Sequence, residues 1–386
     1  MIDPRRPPIF PLTILTGFLG AGKTSLLNRL LKAPELADAL VLINEFGEVG
    51  LDHLFVEKVD GNLVVMASGC LCCTIRGDLV ATLEDLLRRR DNDRIAPFNR
   101  IIIETTGLAD PAPILHTIMY HPYFMLRLRL DGVISLVDAV NGAATLDKHK
   151  EAVKQAAVAD RLVISKSDLL PPGDAGLAAL RARLKALNPT AVLLDGARGE
   201  ANPATLLNIG LYDPDRKIPD VRRWLNAEAL EERADQDHHH HDHDDHDHHH
   251  DHAAGHDRNR HDARIRAFAL RHPTPVPPAT IEMFLELLRT AHGAHLLRVK
   301  GIIALADDPA RPLVIHGVQH IFHPPARLEA WPDDDHTTRI VFILEDMEPS
   351  FVKGLWDAFV GLAADTPDAA ALTRNPLKIS PGGLLA

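Results

Sequence analysis

At 386 residues, with 46% hydrophobic and 25% charged residues, the chain has the composition of a soluble globular protein with room for two cored domains. A formal net charge of -11 argues against a nucleic-acid partner, because phosphate backbones demand a basic face, and no apolar run approaches the roughly 18 residues of a membrane span. All three cysteines lie between Cys70 and Cys73, which excludes a disulfide framework. The start, M-I-D-P-R-R-P-P, has no signal-peptide pattern, so a reducing, cytoplasmic location is expected.

The first predicted strand leads from Ile9 into I-L-T-G-F-L-G-A-G-K-T-S, residues 14–25, and L-L-N-R-L-L-K then continues with helical spacing. This is strand, glycine loop and helix with G-x-x-x-x-G-K-T at the junction. Gly17, Gly20, Ala21 and Gly22 let backbone N–H groups curl into a nest for phosphate oxygens, at the positive end of the new helix. Lys23 can reach the β- and γ-phosphates, the Thr24 hydroxyl suits Mg²⁺, and Ser25 follows in the same turn. The stretch predicts nucleoside triphosphate binding.

Further apolar strands are expected at 39–43, 63–66, 101–103, 133–137, 162–164 and 191–194, with helices at 75–90 and 177–187 among those between them. Continuous apolar strands alternating with helices predict a parallel sheet covered on both faces, an α/β P-loop NTPase architecture with ligands at the carboxyl ends of the strands. Glu104 directly follows I-I-I, as the acidic residue of a Walker B element does, and is a candidate for holding Mg²⁺ and ordering water. Gly107 would let a backbone N–H approach the γ-phosphate. In V-I-S-K-S-D, Lys166 and Asp168 resemble the N-K-x-D guanine-reading element, whose carboxylate accepts from guanine N1 and N2. Adenine cannot donate those bonds, so GTP is favoured over ATP, although Ser165 stands where that element has Asn.

Cys70, Cys72 and Cys73, in G-C-L-C-C, form a soft thiolate cluster suited to Zn²⁺. A fourth tetrahedral position is left for a carboxylate, a water or a partner's ligand. From Asp235 to Asp262 the chain is almost entirely His and Asp, and 12 of the 23 histidines fall between His238 and His261. No core can form from that composition. The stretch beginning His238, His239, His240, His241 and His243 predicts a disordered linker that collects Zn²⁺, Co²⁺, Ni²⁺ or Cu²⁺ loosely. Beyond it, an alternating strand from 264, an amphipathic helix over 278–291, strands at 296–305, 313–316 and 339–344, and a helix from 349 to about 361 predict a smaller α+β domain. His316, His320 and His323 read there as sheet-surface or partly packed residues rather than ligands. The expected organisation is 9–213, 214–262, 263–363 and a tail over 364–386.

Taken in order, L-T-G-F-L-G-A-G-K-T, I-N-E-F-G-E-V-G, G-C-L-C-C, I-I-I-E-T-T-G-L-A-D-P and K-S-D resemble the CobW-like family of P-loop GTPases and metallochaperones. R-V-K-G and G-V-Q-H resemble its C-terminal domain. The resemblance implies a GTPase with a metal-binding C-x-C-C near the nucleotide. It implies that Glu45 and Glu48 lie in a nucleotide-sensing loop, with Glu48 adding a carboxylate to the metal site. The expectation is a slow GTP-hydrolysing metallochaperone, zinc favoured, that serves a metal-requiring client protein. A homodimer is one option for its assembly. The alternatives are a cobalt-handling GTPase of cobalamin biosynthesis, a non-enzymatic metal buffer and a P-loop small-molecule kinase.

Overall fold

A computed structural model describes residues 7–46, 63–68, 74–209, 264–322 and 325–364. Strand β1 (Phe10–Gly17) runs through the glycine loop into helix α1 (Lys23–Leu31). Then come β2 (Ala39–Phe46), β3 (Leu63–Ser68), α2 (Thr74–Asp91) and β4 (Arg100–Glu104). Helices α3 (Ala112–Tyr120) and α4 (Pro122–Arg127) precede β5 (Leu128–Asp138), and α5 (Gly142–Lys148) and α6 (Lys150–Ala157) precede β6 (Arg161–Ser165). Helix α7 (Ala175–Leu187), β7 (Val192–Asp195) and the short α8 (Pro203–Leu206) complete this part.

These seven strands form one sheet in the order β3-β2-β4-β1-β5-β6-β7, every pairing parallel. The apolar runs are continuous because both faces are covered. In β4, Ile101 and Ile103 pack with Leu83 and Leu87 of α2 and Leu115 of α3, whereas Ile102 faces Leu27 and Leu30 of α1. Strand β5 begins at Leu128, ahead of the expected start at 133. The polar Asp131, which masks that strand in the sequence, is buried because the Arg100 guanidinium pairs with it and Asn208 donates a backbone N–H at 2.9 Å. A buried carboxylate so paired interrupts the hydropathy pattern without interrupting the strand.

The second part comprises β8 (Ile265–His272), α9 (Pro278–His292), β9 (Leu296–Ile303), β10 (Leu313–Val318), β11 (Ile321–Phe322), β12 (Ala326–Arg327), β13 (Thr338–Glu345) and α10 (Pro349–Ala364). Its sheet is antiparallel, in the order β11-β10-β9-β13-β8, with β12 also on β10. Phe284 of α9 and Trp356 of α10 meet with ring centroids 5.1 Å apart and pack over Phe268 and Phe342. The P-loop sheet and this smaller α+β unit are the expected architecture.

The two parts touch through α6 and Asp160, just ahead of β6, and again at α3, where Tyr120 donates to the His320 carbonyl at 3.3 Å. Ala157 packs with Leu297 and Ile343, and Lys154 Nζ lies 3.0 Å from Glu345. Asp160 is buried and takes the Arg298 guanidinium and, at 2.8 Å, the Lys300 ammonium. Burial opposes its ionisation most strongly. Arg298, Lys300 and the Val133 N–H more than offset that and hold the carboxyl far below the usual carboxylate range. Arg298 and Lys300 are the basic residues of R-V-K-G.

Candidate nucleotide site at the carboxyl ends of the strands

Because the sheet is parallel, β1, β4, β5, β6 and β7 end on one rim, at Gly17, Glu104, Asp138, Ser165 and Asp195. The glycine loop needs its glycines for two different reasons. Gly20 and Gly22 have φ of +74° and +90°, a left-handed region that L side chains rarely adopt. Gly17, at φ +138°, lies against β5, where a Cβ would sit 2.6 Å from the Leu136 carbonyl oxygen. The loop closes with Ala21 N–H on the Phe18 carbonyl at 3.1 Å, and α1 starts directly after Gly22. Lys23 Nζ donates to the carbonyls of Gly17 at 2.9 Å and Phe18 at 3.4 Å, so the cation lies along the loop.

Thr24 of α1 and Glu104 at the end of β4 meet: the threonine hydroxyl donates to Glu104 Oε1 at 3.1 Å. Glu104 is buried. A hydroxyl on the first turn of α1 and a buried carboxylate at the end of β4 are the hard oxygen donors that Mg²⁺ takes, so these residues fit that ion. Beside them, Thr105 donates its hydroxyl to Thr16 at 2.8 Å, which locks β4 to β1 at the rim. Gly107 is pressed against the glycine loop, where an added Cβ would lie 2.6 Å from Leu19 N. Ser25 is exposed on the first turn of α1.

On the other side of the loop, Ser165 donates its hydroxyl to the Ala21 carbonyl at 2.7 Å. Lys166 has φ +59°, uncommon for a non-glycine residue, and its ammonium donates to Asp138 at 2.7 Å. Asp138 also accepts from Val140 N–H at 2.8 Å and from the Asn141 side chain at 3.2 Å. Burial resists its ionisation, but the bonds from Lys166, Val140 and Asn141 prevail and keep its pKa below the ordinary value. Asp168 follows, exposed at the rim. Ser167 donates to the buried Asp195 at 2.5 Å, and Asp195 also accepts the N–H groups of Ala197 and Arg198. A cavity of about 220 Å³ opens between Phe18–Ala21, Asp138, Asn141 and Lys166.

The rim thus brings together Gly17, Gly20, Ala21, Gly22, Lys23, Thr24, Glu104, Gly107, Lys166 and Asp168. Cys70, Cys72, Cys73, Glu48 and the histidines from His238 to His243 lie outside the described residues, as do Glu45's side chain and His323. Among the described residues no group of three or more His, Cys, Asp or Glu side chains is placed to hold a metal ion. Of the remaining two histidines, the His320 ring packs on His116 with centroids 4.7 Å apart, and His316 is half-buried on β10.

Asp138, Gln155 and Asp195 were not singled out from the sequence. Asp138 and Asp195 each end an apolar strand, a position as telling as that of Glu104. Gln155 is the polar member of a helix face otherwise made of Ala152, Val153 and Ala156.

Residues 11–195 match the CobW/HypB/UreG nucleotide-binding domain, and residues 265–360 match the cobalamin synthesis protein CobW C-terminal domain. A curated relative, the zinc chaperone YjiA of Escherichia coli, is 30% identical over 91% of this chain and 98% of its own length. The chain belongs to the CobW family. Another CobW relative, the zinc chaperone CobW of Pseudomonas aeruginosa, is 31% identical over 89% of each chain. The crystal structure of Zn(II)-bound YjiA GTPase from E. coli superposes with a TM-score of 0.63 at 25% identity, over 91% of this chain and 99% of that one. With the family come its GTP-binding P-loop and its two-part architecture. No helix among the described residues is long and apolar enough to cross a membrane.

Proposed function

We propose that this CobW-family chain is a GTP-hydrolysing metallochaperone that carries a divalent transition metal, zinc favoured, and passes it to a metal-requiring client. The observation that carries the hydrolytic part is the Thr24–Glu104 contact at 3.1 Å beside a phosphate loop whose Lys23 lies along it. Thr24 and Glu104 would hold Mg²⁺, which when bound neutralises charge on the β- and γ-phosphate oxygens. Lys23 and the loop N–H groups provide the rest of the electrostatic stabilisation. Asp168, exposed beside Lys166, is the group that would read the guanine edge, and Ser165 serves the loop rather than the base. With catalysis confined to positioning and charge, intrinsic turnover should be slow.

Zinc as cargo is supported by the names of the relatives and by the sulfur chemistry of Cys70, Cys72 and Cys73. Strand β3 is parallel to β2 and ends at Ser68, two residues before Cys70, and α2 begins at Thr74, directly after Cys73. The carboxyl end of β3 lies on the rim that carries the phosphate loop, which supports the reading that occupancy of either site is felt by the other. The test is Zn²⁺ affinity of the full chain loaded with GDP or with a non-hydrolysable GTP analogue. A difference between the two states is expected, and equal affinities would remove the coupling.

A further inference from the structure

Gln155 sits on α6, among the most deeply buried polar side chains of the described residues at 1% exposure, and the proposed chemistry gives it no role. Its amide Nε2 donates to two carbonyls of the segment after Glu104, Gly107 at 3.2 Å and Ala109 at 2.9 Å. Two acceptors facing one end of the amide fix its orientation, since only the NH₂ group can serve both. Burying such an amide would be costly without those bonds. On its opposite side the same segment is in contact with the phosphate loop, because Gly107 has Leu19 where a Cβ would be. Gly107 is thus wedged between Gln155 and the loop that would cradle the phosphates.

Helix α6 also contacts the C-terminal unit. Lys154, the adjacent residue, reaches Glu345 at 3.0 Å and lies 4.0 Å from Asp110, which ends the Gly107 segment. Ala157 packs under Leu297 and Ile343. Two side chains in succession therefore reach the Gly107 segment, and one of them, Lys154, also reaches the second sheet.

We propose that Gln155 is the positioning residue that sets the Gly107 segment for the third phosphate, and that through α6 it makes the C-terminal sheet sensitive to which nucleotide is bound. This rests on the GTPase reading above. On the reading that the Gly107 N–H serves the γ-phosphate, which a diphosphate lacks, Gln155 should matter for GTP and little for GDP. A residue that merely supported the fold would weaken both alike.

The experiment compares the full chain with its Gln155→Leu variant for affinity toward GDP and a non-hydrolysable GTP analogue, both with Mg²⁺, and for GTP turnover. The expected result is a loss of about tenfold in analogue affinity or turnover, with GDP affinity within about twofold. Hydrogen exchange over β9 and β13 should differ between the two nucleotide states in the native chain, and this difference should shrink in Lys154→Ala. Equal losses for both nucleotides, or no loss, would overturn the role of Gln155. Exchange over β9 and β13 that ignores the nucleotide in the native chain would overturn the relay. If Gln155→Leu does not fold, Gln155→Asn, which keeps the amide and shortens its reach, carries the same comparison. A native chain that binds neither nucleotide would instead defeat the GTPase reading itself.

Discussion

Ser165 and Ala21, 144 positions apart, share a 2.7 Å hydrogen bond in which the serine hydroxyl donates to the loop carbonyl. The departure from Asn at this position therefore leaves β6 fastened to the phosphate loop. Removing the hydroxyl in Ser165→Ala leaves the carbonyl of the buried Ala21 without this donor, a loss of about 1 kcal/mol. Affinities for GTP and GDP should fall together by several-fold, with guanine still preferred over adenine. Competition binding with the four nucleotides checks this.

Thr24→Ala and Glu104→Gln act at the oxygen pair proposed to hold Mg²⁺. Each should lower GTP turnover by about 10²-fold or more, the scale on which preorganised charge stabilisation operates. The Mg²⁺ concentration at half-maximal rate should rise in both variants, which a steady-state titration at saturating GTP would read.

Asp138 holds the Lys166 ammonium, so Asp138→Asn and Lys166→Met should each weaken guanine-nucleotide binding by about tenfold, the worth of one charge-assisted hydrogen bond. Because the two act as a unit, the double variant should be no weaker than either single one. Additive losses in the cycle would show that each acts alone.

At the junction of the two sheets, Asp160→Asn would leave Arg298 and Lys300 facing each other without their carboxylate. A destabilisation of about 3–5 kcal/mol is expected for breaking a buried pair from one side. Asp160 is ionised more readily in the folded chain than at its ordinary pKa of 3.8, so its contribution is present above that pH and fades as the medium is acidified below it. Lys300 has the opposite sign. Burial pushes its pKa from 10.5 to about 8, so between those values the unfolded chain binds the extra proton and this group's contribution to stability rises with pH. Urea unfolding of the native chain and of Lys300→Met from pH 7 to 10 should show the rise only in the native chain.

Cys72→Ala should lower Zn²⁺ affinity at least tenfold, roughly the effect of disturbing a ligand's orientation alone. If sulfur cluster and phosphate loop are coupled, the zinc dependence of GTP turnover should disappear with it. Equilibrium competition against a chromogenic chelator gives the first number and a phosphate-release assay the second.

Much of this was legible in the sequence because its signals are local. The strand at 101–103 needs only Ile101, Ile102 and Ile103, and the phosphate loop needs only its glycines and Lys23. What escaped are residues whose meaning depends on a distant partner. Asp131 reads as a break in β5 until Arg100 is brought beside it, and Gln155 reads as an ordinary helical residue until the Gly107 and Ala109 carbonyls arrive from 48 and 46 positions away. Asp138 ends a strand as conspicuously as Glu104, yet its task becomes visible only once the left-handed Lys166 turns toward it. Strand order is equally hidden, since nothing local says that β1 lies between β4 and β5.

Gly17 is the place where the phosphate loop and the framework cannot be altered separately. It pairs with Leu136 in register, and a methyl group there would collide with the backbone of β5 at 2.6 Å. An alanine at Gly17 would force apart two central strands, so lost binding in that variant would be a symptom of a wedged-open sheet. Gly20, where an added Cβ meets nothing within 4 Å, is the better position for probing the cradle itself, its φ of +74° confining the damage to the turn.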